Sequence, residues 1–160
     1  MQILKSTVFL IGLAGAVFSQ QQTQGVSGSD AIAARQAGMD MSSITLRSIV
    51  DAVKAGREVK SLGYSAAALS KWSKAVPGLF PPGSGEGETA AMSQALPAIW
   101  RDRAGFDRVA ANYAAATEKL AALAAANDME GFTKQLDAVN QACNACHGRS
   151  KGGAQGPPAK

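Results

Sequence analysis

The residues best suited to chemistry stand together near the C-terminus, as Cys143-Asn144-Ala145-Cys146-His147. The chain has two cysteines and one histidine, and all three fall in this pentapeptide. CxxCH is the attachment pattern of c-type haem. The spacing has a physical reason on a helix, where residues three and four apart share a face. Both thiols can then add to the two vinyl groups of a haem. His147 reaches the iron from below, its second ring nitrogen held by an acceptor or water. Other chemistries compete for the same residues. Zinc needs four ligands, and no further Cys or His exists to complete the set. A thioredoxin-like redox pair belongs beside a βαβ pattern, and none is evident. Core cysteines or a local disulfide, beside a satisfied histidine, form the plainest alternative.

The elements that must position these groups read as helices throughout. Phe132, Leu136, Val139, Cys143 and Cys146 recur at steps of four, three, four and three, so both sulfurs lie on the apolar stripe of a last helix. A first helix starts at Ser29 as N-cap, with Asp30 in the dipole-favoured first turn. Its inward stripe is Ile32, Met39, Ser42, Leu46, Ile49 and Val53, and Gly56 ends it. A second spans residues 58–76 on Val59, Leu62, Ala66, Leu69, Trp72 and Val76, weakened at Gly63 and stopped by Pro77. Residues 78–93 form the one long loop, with Pro81, Pro82 and several glycines. A third helix runs from Pro97 to Ala126 on Ile99, Phe106, Val109, Tyr113, Leu120 and Leu123. Asn127 and Asp128 break the chain, with Asp128 able to cap the fourth helix. Long amphipathic helices with mostly short links predict an all-α, antiparallel four-helix bundle.

Composition narrows the function. The 160 residues are 46% hydrophobic and 18% charged, which excludes both an acidic disordered chain and a polytopic membrane protein. A net charge of +4, with basic residues dispersed, makes no nucleic-acid stripe. Only nine residues are aromatic, so an alanine-rich core has room for a bulky apolar group. Residues 1–19 have the layout of a secretory signal peptide: Lys5, an uncharged run of 12 residues, then small Ser19. That run is short of the about 20 residues a membrane-crossing helix needs. Residues 20–28 read as a flexible arm, 29–151 as the haem domain and 152–160 as a flexible tail. Export to an oxidising compartment, together with the helical stripe, favours haem attachment over the competing uses of Cys143 and Cys146.

Three stretches carry a resemblance to a known family: Arg35-Gln36-Ala37-Gly38-Met39, then Phe80-Pro81-Pro82-Gly83-Ser84-Gly85 through Ile99-Trp100, and the CxxCH pentapeptide. Over roughly residues 30–151 the chain resembles the cytochrome c′ family of four-helix-bundle c-type cytochromes. The resemblance implies one covalently attached haem c, with Cys143 and Cys146 as thioether attachments and His147 as the proximal iron ligand. It implies that Arg35 and Gln36 approach the haem edge and propionates, and that Glu88 and Thr89 reach the haem from the loop. The stretch 90–94 is longer than the family's usual loop, and Lys151 stands where relatives commonly carry arginine. Met39 takes the position facing the iron's open side; Met41, about 200° further round the helix, does not.

The resemblance implies a periplasmic protein, often a homodimer, that transfers electrons or binds nitric oxide and carbon monoxide. If Met39 ligates iron, one-electron carriage is expected; if it only packs, small gases gain access. With no second histidine, no Ser/His arrangement and no defensible carboxylate pair, a bond-making enzyme is not expected. Arg149 and Lys151 favour an acidic redox partner, though salt screens the bias.

Overall fold

Ser27 starts the first helix by accepting the backbone N–H of Asp30 on its hydroxyl, at 3.1 Å. Helix α1 (Gly28–Lys54) therefore begins ahead of the expected Ser29 cap and takes in the end of the expected arm. The structure is a computed structural model and describes residues 26–150. The signal peptide at 1–19, the arm through residue 25, Lys151 and the tail at 152–160 lie outside the described residues.

Gly56, at φ 72°, turns the chain out of α1 in a conformation that other residues adopt only with strain. A 3-10 turn, Val59–Leu62, leads into α2 (Gly63–Ala75), and a second, Val76–Leu79, follows it across Pro77. The predicted second helix is thus three joined pieces, with Gly63 at the first junction. The third is split as well, into α3 (Ala98–Arg101) and α4 (Arg103–Ala125). Asp102 leaves the helical region at φ −123° and ψ 64°, and its carboxylate caps α4 by accepting from Gly105 N–H. Asn127, at φ 53°, makes the last break. Asp128 accepts from Gly131 N–H at the start of α5 (Met129–Ser150).

Two apolar clusters report how the helices lie. One joins Ile49 late in α1, Val59 and Leu62 of the first 3-10 turn, and Ala66 and Leu69 in α2. To these it adds Leu120 and Ala124 late in α4, and Phe132, Leu136 and Val139 early in α5. The other joins Val76, Phe80, Ala95, Ile99 and Phe106, with Met39, Trp72, Tyr113 and Cys146 packed against it. Early and late segments alternate within each cluster, as an antiparallel four-helix bundle requires. Phe132, Ile49, Leu120 and Val139 are 0–1% exposed. Each such side chain contributes about 1.5–3 kcal/mol by burial. The first cluster fills one end of the bundle.

Candidate haem site

Helix α5 presents Cys143, Cys146 and His147 on adjacent turns. Cys143 packs against the first cluster and Cys146 against the second, so the attachment pair sits where the two meet. The sulfurs are unbridged. Burial, then the neighbouring Cys146, pushes the Cys143 thiol up to about 11. Burial also raises Cys146, while a hydrogen bond with Ser150 pulls against the rise. Both are protonated at neutral pH, unlike the low-pKa thiolate of a redox-active pair. Among the described residues no group of three or more His, Cys, Asp or Glu could hold a bare metal ion. The donor set fits instead a porphyrin that brings four nitrogens of its own.

A cavity of about 570 Å³ opens beside this helix, between α1, the long loop and α5. Its lining includes Arg35, Gln36 and Met39 from α1, Phe80 and residues 92–95 from the loop, and Cys146 and His147 from α5. Ligand pockets commonly enclose about 300–1,000 Å³. A thioether, an imidazole and one attachment sulfur thus converge from two helices on one space. Tyr113 lies under the same region, its phenol raised well above the usual range by burial and by Cys143.

The residues expected from the resemblance divide. Met39, Gln36, Arg35, Cys146 and His147 share the cavity wall, and Cys143 lies one turn earlier on α5. Glu88 and Thr89 are not in that wall. The Glu88 carboxylate accepts Gly85 N–H and lines a separate concavity of about 480 Å³ with Trp100 and Arg103. The Thr89 hydroxyl accepts Ala91 N–H, and its methyl lies beside Gly28. The loop instead sends Met92, Ser93, Gln94 and Ala95 to the cavity. Sequence reasoning marked the stretch 90–94 as long but carried no signal for which of its residues face inward.

Arg35 lines the cavity and is also held by the loop. Its side chain is 5% exposed, and its Nη atoms donate to Leu79 O, Ser84 Oγ, Ser84 O and Ser93 Oγ. The guanidinium sits 4.5 Å from the Phe80 ring centroid. Its charge is therefore met by loop oxygens and an aromatic face, and no carboxylate among the described residues pairs with it. Met41, at 69% exposure, points away from the cavity as expected.

The family profile of cytochrome c′ matches residues 30–151. The chain belongs to the cytochrome c′ family. Over 98 residues it is 33% identical to the cytochrome c′ of Rubrivivax gelatinosus, covering 61% of this chain and 74% of that one. Over 97 residues it is 35% identical to cytochrome c-554 of Cereibacter sphaeroides, covering 61% of this chain but only 58% of the relative. The crystal structure of the Rubrivivax gelatinosus protein superposes at a TM-score of 0.72 with 27% identity, covering 81% of this chain and all of that one. A ferrous variant of the Alcaligenes xylosoxidans protein with bound nitric oxide shares the fold at 0.71, with 24% identity over 80% of this chain and 98% of its own. Members of the family carry covalently attached haem c, and haem c is the cofactor of this chain.

Proposed function

We propose that this haem c protein carries single electrons in the periplasm, with His147 and Met39 as the protein ligands of its iron. The observation that carries the reading is the meeting of the Met39 thioether and the His147 imidazole at one cavity, from α1 and α5. Bound haem c supplies an iron that alternates between Fe(II) and Fe(III). The chain's residues do the rest. Cys143 and Cys146 hold the cofactor by thioether links, so it is not lost after export. His147 offers a strong nitrogen donor and Met39 a soft sulfur, a combination that raises the reduction potential. Met39 packs against the cluster of Phe80 and Phe106, which holds its side chain at the cavity. The signal-peptide pattern of residues 1–19 supports export. The protein acts as a carrier rather than a bond-making enzyme, works with an acidic periplasmic redox partner, and forms a homodimer.

A second reading rests on the nitric oxide complex of the Alcaligenes xylosoxidans relative. If Met39 only fills space over the iron, the chain binds small gases instead. Absorption spectra of the oxidised and reduced holoprotein, with and without carbon monoxide, separate the two. Electron carriage predicts a sharp low-spin reduced spectrum that carbon monoxide leaves unchanged. Met39→Ala then yields a high-spin spectrum that shifts with carbon monoxide. A high-spin parent protein would favour the gas binder, and an unaltered spectrum in the variant would remove Met39 from the ligand set.

A further inference from the structure

Residues 92–95 line the cavity, and the segment running on to Leu96 is fastened at both ends, to α1 and to α5. On the α1 side, Gln36 Nε2 donates to Met92 O at 2.7 Å and Arg35 Nη2 donates to Ser93 Oγ at 2.6 Å. On the α5 side, Leu96 N–H donates to Ser150 O at 3.0 Å, three residues beyond His147. The segment therefore bridges α1 and α5 along one side of the cavity, with Met92, Ser93, Gln94 and Ala95 in its wall. Arg35 fixes more of the loop than this one bond. It also donates to Ser84 Oγ at 2.8 Å and to Leu79 O at 3.0 Å, while Ser84 Oγ donates to Pro81 O at 2.8 Å. Both ends of the long loop thus converge on one side chain four residues from Met39.

The geometry points to Arg35 as a positioning residue that latches residues 92–96 across the cavity and so sets how fast small exogenous ligands reach the haem iron. Four N–H groups in a planar fork hold four acceptors at fixed angles, a task the single ammonium of lysine cannot repeat. The guanidinium holds loop oxygens from both ends of the long loop, and through them it keeps the wall closed. Ser84 and Ser93 are the acceptors whose loss loosens the latch while leaving the buried charge in place. The inference rests on haem c occupying this cavity, and it holds whether or not Met39 ligates.

The test uses holoprotein in a Met39→Ala background, so that displacement of a methionine does not limit the measured rate. The probe is carbon monoxide, followed by flash photolysis of the reduced protein. Ser84→Ala with Ser93→Ala should raise the association rate by about tenfold, equivalent to about 1.4 kcal/mol taken from the closed state. Arg35→Lys should raise it in the same direction. Amide hydrogen exchange should quicken across residues 92–96 in the same variants and stay unchanged in α2 and α4. Ser73→Ala supplies the control, because it breaks a buried hydroxyl pair with Thr117 between α2 and α4, away from the loop. It should lower stability and leave both readouts alone. Equal association rates in parent and serine variants would overturn the inference, and so would equal acceleration by Ser73→Ala. Failure of the methionine-ligand reading appears separately, in the spectrum of the protein before any loop change.

Discussion

Replacing Arg35 with methionine removes the buried charge while keeping a side chain of similar length. Four hydrogen bonds to the loop vanish, along with the contact to the Phe80 ring. Counted singly, bonds to a charged group are worth about 1.5–3 kcal/mol each. Their plain sum overstates the loss, because the variant no longer buries a guanidinium and recovers its desolvation cost. The acceptors also differ in what remains to them. Ser84 O keeps the Ser93 hydroxyl at 3.3 Å, and Leu79 is partly exposed, so water can reach its carbonyl. A net loss of about 3–5 kcal/mol follows once that recovery is set against four bonds to a charged donor. For a domain of this size each kcal/mol lowers the melting temperature by about 4 °C, which gives about 12–20 °C. Thermal and denaturant unfolding of the holoprotein, followed by circular dichroism, measure the change. Arg35→Lys should lie between parent and Arg35→Met, since it keeps the charge but not the fork. A loss below about 1 kcal/mol for Arg35→Met would refute the reasoning, because that is the size expected of an exposed charge.

Other outcomes follow from the same structure. Phe132→Ala empties a fully buried position and should cost about 3–5 kcal/mol in denaturant unfolding while leaving the haem spectrum intact. Gly38→Ala should destabilise, although alanine ordinarily gains about 1 kcal/mol over glycine within a helix. The added Cβ would meet the six-membered ring of Trp72, and a gain in melting temperature would contradict that contact. The ion pair of Lys134 and Glu130 is 75% and 81% exposed, so Lys134→Ala should cost no more than about 0.5 kcal/mol. In haem-free protein the Cys143 thiol is raised from 9.0 to about 11, so between those values the folded chain keeps a proton that the unfolded chain has lost. That contribution is fully present below pH 9 and disappears as pH rises through 11. Urea unfolding across this window should show the decline in the haem-free protein. Thioether formation removes the group, and the loaded protein should lack that component.

Much of the fold is legible in the stripes because a helix must bury one face. Ile32, Ile49, Leu69, Leu120 and Val139 all occupy the buried positions that their spacing implies. Breaks marked by special backbone geometry were equally plain, at Gly56 and at the Asn127–Asp128 turn. The split at Asp102 was not. No glycine or proline stands there, and an aspartate becomes a helix cap only if the preceding segment turns away. Ser27 rather than Ser29 caps α1 for a related reason: either hydroxyl could serve, and the choice depends on where the chain enters the bundle.

The site divides along the same line. The sequence by itself determined how Cys143, Cys146 and His147 stand to one another, because they lie within about one helical turn and local geometry sets their relation. It also determined that Met39 faces inward, since the stripe of α1 admits no other register. What only the tertiary structure decided is everything that crosses the long loop. Glu88 and Thr89 turned to local partners, residues 92–95 took the cavity wall, and Arg35 spent its donors on Leu79, Ser84 and Ser93. A helix repeats every 3.6 residues and so declares its faces in advance. A loop has no period, and its side chains point wherever distant hydrogen bonds pull its backbone.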